Sequence, residues 1–503
     1  MIQTLKYIIL AVFLSMQSTI YADEQKEIPK LLPKEEVSND NIEQVTQLSV
    51  IQNDTDESPT FSRFLNMFEV TGYFRTRFNY MRNAHLGTYI ERLGYGTSNI
   101  KSNINADDKE EQNNYSFNMR LKIDPTLNVS ELVRIKSSIH MLDNVVFGSM
   151  PSYINNFSNK ESFLSTAQSF GETISIKRLW GEVSTPIGEI KFGRMPFHWG
   201  MGVLYNSADN PDSDYGDQFD GFLFNTRFFD HYITPAYFVS YSGYNHKTAG
   251  QQYPLFPKDM AHIFSLSFLN KDSDMSILQK KSNRLVYNYG LFTAYHYQEF
   301  DSQRHDLSEK TNAEIKNNLV NINAHISVNS FWQSFDYQTF HLESEFVGIL
   351  GKYLNTNSSE VFMLQGGAAI ESRYGFLKDQ LRVGLDLGIA SSSGSKYKTD
   401  FTFNKAYDVD SLLYKQVKGA IDSSAYVKPH ISYLFSKNFG IRADVLSSLA
   451  LNTNNVLSKK RLQGIELDAS VFARSEEGLY FSATYGILFP LGLRSEEHTS
   501  ELQ

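Results

Sequence analysis

The chain has 503 residues, no cysteine, 14% aromatic residues and a formal net charge of -9. The absence of cysteine excludes disulfides, thiolate metal sites, cysteine catalysis and a lipoprotein anchor, and so mild an acidity argues against nucleic-acid binding. A mean hydropathy of -0.35 beside 29 Tyr and 37 Phe is unlike a helical membrane protein, and suits strands that hide apolar side chains at alternate positions while aromatics collect at two interfaces.

At the N-terminus Lys6 precedes the apolar run Tyr7 to Met16 and a small-residue exit, Ser18 to Ala22. This pattern predicts a secretory signal peptide over residues 1–22, cleaved after Ala22, because the apolar run is far short of the roughly 20 residues of a spanning helix. No later stretch is apolar for that length, so a membrane-embedded mature chain has to cross as strands. Residues 23–65 are polar, carry Pro29, Pro33 and Pro59, and read as a flexible periplasmic arm.

From Asn66 the period changes to two. In Phe68 to Tyr80 one face carries Phe68, Val70, Gly72, Phe74, Thr76, Phe78 and Tyr80, and the other Glu69, Thr71, Tyr73, Arg75, Arg77 and Asn79. The alternation recurs in Tyr115 to Ile123, Val133 to Met141, Leu381 to Ile389 and Ile465 to Ala473. Segments of this length match tilted strands that cross a bilayer and exceed the strands of a soluble sandwich. Long connections near 81–113, 143–172, 196–220, 243–258 and 392–422 alternate with brief ones at Asp124-Pro-Thr-Leu, Thr185-Pro-Ile-Gly, Asp230-His and Ser475-Glu-Glu-Gly, the rhythm of outer loops and periplasmic turns. The rhythm falters near 270–283 and 327–338, and Ser308 to Ile326 reads as helix or strand. The fold expected over residues 66–493 is an all-β transmembrane antiparallel β-barrel.

Residues 494–503, Arg494 to Gln503, are what a common sequencing-library adapter encodes when read in frame. They are expected to be an artefact that displaces the natural C-terminus after Leu493. About seventeen strands can be counted, and a displaced closing strand would bring the barrel to eighteen, or to sixteen with one hairpin miscounted, since bacterial single-chain barrels have even counts. Either size encloses an aqueous channel unless loops fill it.

The segment Arg178 to Gly202, with Gly193-Arg-Met-Pro196 and His198-Trp-Gly200, continues to Ser213-Asp-Tyr-Gly-Asp217. It resembles a largely uncharacterised family of porin-like outer-membrane barrels from delta-proteobacteria and predatory bacteria, over about residues 66–493. The resemblance implies outer-membrane location and barrel fold, and brings neither substrate nor catalytic residues. The Gly-Arg element is also loosely similar to a hairpin of alginate-export and other substrate-specific porins, over too short a stretch to carry a substrate.

Arg178, Trp180 and Glu182 share one strand face and suggest a lumen wall, as an interior salt-bridge network or a solute contact. His198 and Trp199 read as an interfacial girdle at the outer rim. Asp209, Asp212, Asp214, Asp217 and Asp220 miss the spacing of an EF-hand. They read as a solvated loop or as partners of basic lumen residues, with Asp212, Asp214 and Asp217 a weak calcium candidate and no other cofactor expected. Arg75, Arg77, Arg120, Lys122, Arg134 and Lys136 line one arc of the wall, and Glu343, Glu345 and Asp386 another, with His341 and Glu371 beside them. Such arcs would set a transverse field across the lumen. The expected function is a porin-like channel for small polar solutes, its partners being outer-membrane lipid, those solutes and the barrel-assembly machinery. The alternative is a plugged structural or adhesive barrel working through its outer loops; the helix-like run Lys160 to Ser169 reads either as an inward constriction or as an outer surface contact. No Ser, His and carboxylate motif points to an enzyme.

Overall fold

The computed structural model describes residues 9–20, 67–82, 113–146, 174–240, 260–271, 283–302, 319–355, 358–392, 398–453 and 460–493. The expected arm at 23–65, the run Lys160 to Ser169 and residues 494–503 lie outside them. The strands are β1 (Ile9–Ile20), β2 (Phe68–Arg82), β3 (Asn113–Asn128), β4 (Val133–Val146), β5 (Ile174–Thr185) and β6 (Gly188–Pro196). They continue as β7 (Gln218–Phe228), β8 (His231–Ser240), β9 (Ala261–Asn270), β10 (Val286–Ser302), β11 (Leu319–Tyr337) and β12 (Phe340–Leu354). The last six are β13 (Glu360–Phe376), β14 (Leu381–Ala390), β15 (Ser424–Ser436), β16 (Phe439–Ala450), β17 (Leu462–Arg474) and β18 (Leu479–Phe489).

From β2 to β18 each strand pairs antiparallel with the next, a meander of seventeen strands in one sheet. These strands alone leave the sheet open between β18 and β2. In that seam stands β1, antiparallel to both, with Val12 opposite Tyr80 and Tyr485. It is the apolar run that the sequence assigns to a signal peptide, and the seam is where the eighteenth strand is expected.

The distribution of side chains inverts that of a soluble protein. In β2, Tyr73, Arg75, Arg77, Asn79 and Met81 are buried, whereas Phe68, Val70 and Phe74 are exposed. In β14, Arg382 and Asp386 are buried, whereas Val383, Leu385, Leu387 and Ile389 are exposed. Charges inside and Leu, Ile and Phe outside is the arrangement a lipid surround requires. Aromatic contacts gather at the short-turn end, where Phe228 meets Phe229, Tyr374 meets Phe376, and Phe435 lies between Tyr433 and Phe439. At the other end Tyr237, His262 and Tyr297 stack in sequence. The two groups have the placing of interfacial girdles.

Two details depart from the expected strand map. The residues near 327–338 are no connection: β11 runs unbroken through them and turns only at Gln338 and Thr339. Its inward Ala324, Val328, Ser330, Trp332 and Ser334 are buried against the interior, so small and aromatic residues share one face and blur the polar alternation. Asp124-Pro-Thr-Leu lies within β3 rather than in a turn, and the turn is Val129 to Leu132. Pro125 pairs with Val70 of β2 where the recorded β3–β4 register skips from Ile123 to Thr126, so its missing N–H breaks no ladder on that side.

Candidate functional site

Among the described residues, two connections turn inward across the lumen. The first, residues 197–217, joins β6 to β7. It turns at once because Gly200 and Gly202 have φ of +56° and +85°, a backbone that favours glycine. The turn sends Trp199 into the interior, where it is 6% exposed. Its ring centroid lies 5.4 Å from that of Phe292, and a Cβ on Gly290 would come within 2.9 Å of the indole. The expected girdle position for Trp199 is thus overturned: the chain reverses before the indole can reach the rim. His198 stays exposed and touches the Gly200 carbonyl. Truncating Trp199 to alanine is expected to cost about 3–5 kcal/mol, measured by urea unfolding of the refolded barrel in micelles.

Glu345, on the inner face of β12 and fully buried, accepts the Met201 and Val203 backbone N–H groups at 2.9 and 3.2 Å and the Ser330 hydroxyl at 3.1 Å. On the opposite wall three arginines of β2 and β3 hold the far end of the same connection. Arg75, Arg77 and Arg120 reach the Asp214 carboxylate at 3.1, 2.7 and 2.9 Å. Arg77 also meets Asp212 at 3.2 Å, and Arg75 and Arg120 donate to the carbonyls of Pro211 and Ser213 at 2.8 Å each. Burial acts to raise the Asp214 carboxyl, but Arg77, Arg75 and Arg120 outweigh it and hold that carboxyl well below the usual carboxylate range. The arginine side chains are at most 8% exposed and Asp212 is 36% exposed, so the loop lies between these arginines and the lumen.

Other expected wall residues also face inward. Arg178 pairs with Asp209 at 2.9 Å and donates to the Ser207 carbonyl. Glu182 accepts the Trp180 indole N–H at 2.9 Å and meets Lys136, Lys191 and Arg134 at 3.2, 3.3 and 3.7 Å. Lys122 pairs with Asp124 at 3.2 Å. Glu343 accepts the Trp332 indole N–H at 2.7 Å and neighbours His341. Asp386 meets His430 and Lys428.

The three calcium candidates are divided. Asp212 and Asp214 face arginines, while Asp217 accepts the Asn206 N–H and the Asn404 amide at 2.9 and 2.5 Å. Burial raises the Asp217 carboxyl above its ordinary value. Among the described residues no group of three or more His, Asp or Glu side chains is placed to hold a metal ion.

The second inward connection joins β14 to β15 and is described over 398–423. Phe401, Phe403, Tyr407, Val409, Leu412, Leu413 and Ile421 are buried in it. Gly367 makes room, since a Cβ there would lie 2.2 Å from the Phe401 ring. Glu466 of β17 accepts the Ser411, Leu412 and Leu413 N–H groups at 2.9, 2.8 and 2.7 Å, at the start of a short π-helix, Leu413–Lys418. The two connections are tied together. Asn404 donates its N–H to the Val203 carbonyl at 2.8 Å, and Lys415 bridges Asp212 and Asp408 at 3.3 and 2.6 Å. Sequence reading missed Glu466, Asn404 and Lys415 as partners of these loops. The period of two does put Glu466 on an inner face, but nothing local names the backbone it caps.

No protein-family model matches the sequence, and no curated protein matches it. Among solved structures the chain is similar to a BenF-like porin from Pseudomonas fluorescens, at TM-score 0.41 and 9% identity over 97% of this chain and 98% of that one. It is similar to OccK11 of Pseudomonas aeruginosa, at TM-score 0.41 and 10% identity over 76% and 91%. An anion-selective porin from Comamonas acidovorans follows at TM-score 0.36 and 9% identity over 75% and 92%. No residue's role passes from them to this chain.

Proposed function

We propose that this chain is an outer-membrane, porin-like channel that lets small polar solutes pass passively, a conduit and not a catalyst. The observation that carries the reading is the sheet's inversion: in strands such as β2, β14, β16 and β17, Arg, Asp and Glu are buried on one face while Leu, Ile, Val and Phe are exposed on the other. Such a sheet is soluble in lipid outside and water inside. The residues of the charged lumen, above all Arg134 at 41% exposed, with Lys136 and Lys191, meet the solute, and the two inward loops narrow its path. The signal peptide, the periplasmic arm, membership of the Gly-Arg-Met-Pro family and delivery by the barrel-assembly machinery belong to the same reading.

A second reading has its own support. The apolar residues buried along 401–421 are packing that a plug needs, and favour a structural barrel acting through its outer loops. Single-channel recording in planar bilayers separates the two. Discrete, ion-selective openings are expected of the channel; a folded but silent barrel transfers the assignment to the plug.

A further inference from the structure

The connection between β6 and β7 has two unlike halves. From Phe197 to Tyr205 it is apolar, with Trp199 and Val203 buried and Met201, Leu204 and Tyr205 packed against the interior clusters. No residue from 208 to 216 belongs to either cluster. That half is held by charge: by Arg75, Arg77 and Arg120 on one side, and on the other by Lys415 at Asp212 and by Lys405, 5.2 Å over the Tyr215 ring. The junctions are conformationally marked. Ala208 has φ of +54°, and Gly216 lies so close to the Ser207 carbonyl that a Cβ would come within 2.5 Å of it.

Resting on the channel reading, we propose that residues 209–215 are an ion-pair strap that leaves the arginine wall as a unit while 197–205 stay seated, and that its release widens the lumen. The physical basis is the difference between the two halves. The Lys415–Asp212 pair, with side chains 31% and 36% exposed, and the Asp214 carboxylate, 20% exposed, are the parts of this half that salt screens, whereas apolar burial is not lost that way. The Asp214 carboxyl is held well below the usual range by the arginines, against the effect of burial, so mild acid does not unfasten it. Salt does, and the two loops separate at the Lys415 bridge in the same step.

The chain has no cysteine, so Ser213→Cys supplies a single thiol on the strap; the Ser213 carbonyl that Arg120 holds is backbone. The rate at which a bulky maleimide labels it is measured in the folded barrel, alone and with Asp214→Asn. Labelling is expected to speed up from about 0.05 M to about 1 M KCl as the Debye length shrinks, and to be at least about tenfold faster with Asp214→Asn at low salt. A rate flat with salt in the single variant overturns the strap, and needs no second substitution to be read. Conductance of the same proteins completes the test. A larger open step in Asp214→Asn supports release as widening, and an unchanged step despite faster labelling overturns that part. Salt-dependent labelling in a barrel silent in both forms leaves the strap standing and overturns the channel reading instead.

Discussion

Replacing Glu466 by alanine is expected to release the connection between β14 and β15 from the lumen, at a cost of about 3 kcal/mol or more. The carboxylate is fully buried and satisfies three N–H groups, those of Ser411, Leu412 and Leu413. Each buried N–H left without an acceptor costs about 1–3 kcal/mol. Urea unfolding gives the loss, and limited proteolysis within 398–423 shows where it falls. Glu466→Gln keeps an acceptor and is expected to lie between the two. A loop as protected in the alanine variant as in the native chain would remove Glu466 from its anchoring role.

The same loop carries a pH dependence. Burial, with Asp468 and Asp408 nearby, pushes the Asp410 carboxyl from 3.8 up to about 7, against the N–H bonds from Tyr414 and Lys415. A value raised in the folded state means that the folded loop holds its proton more tightly. Its contribution to stability is therefore fully present below the ordinary carboxylate value and lost as pH rises through about 7. Proteolysis of 398–423 is expected to quicken from about pH 5 to about pH 8, and Asp410→Asn to flatten the profile. Quickening towards acid would reverse the sign and refute the assignment.

Leu385→Arg is expected to destabilise the barrel by about 2–4 kcal/mol in phospholipid vesicles. Leu385 lies on the exposed face of β14 between Val383 and Leu387, and is 40% exposed to its surroundings. If those surroundings are hydrocarbon, a guanidinium there loses its water. If they are water, as for a soluble sandwich, an exposed substitution changes stability by no more than about 0.5 kcal/mol. The free energy of unfolding from vesicles decides between them, and a neutral result would remove the lipid face from β14.

Much of the wall was legible without coordinates. The period of two placed Arg75, Arg77, Arg120, Glu182, Glu345 and Asp386 on the inner face, and they are there, because a strand has only two faces and lipid admits few charges on one of them. Their partners were not legible. Arg75 meets Asp214 across 139 positions and Arg120 meets it across 94, and a charge pattern does not state which opposite charge will arrive. From sequence the acidic loop reads as solvated or as a partner of basic lumen residues, and the second of these is what the structure holds. Trp199 misled because a Trp at a strand end usually faces the interface, and two glycines with positive φ turned it inward instead.

The sequence by itself determined most of the strands and their faces, because these follow from side-chain periodicity along a strand, while the connections expected near 124–127 and 327–338 proved to lie within β3 and β11. Only the tertiary structure decided that two long connections fold into the lumen, that the basic arc lies beneath one of them and that Glu466 anchors the other. Those outcomes depend on burying charge and apolar surface between segments far apart in the chain, and such contacts leave no local periodicity.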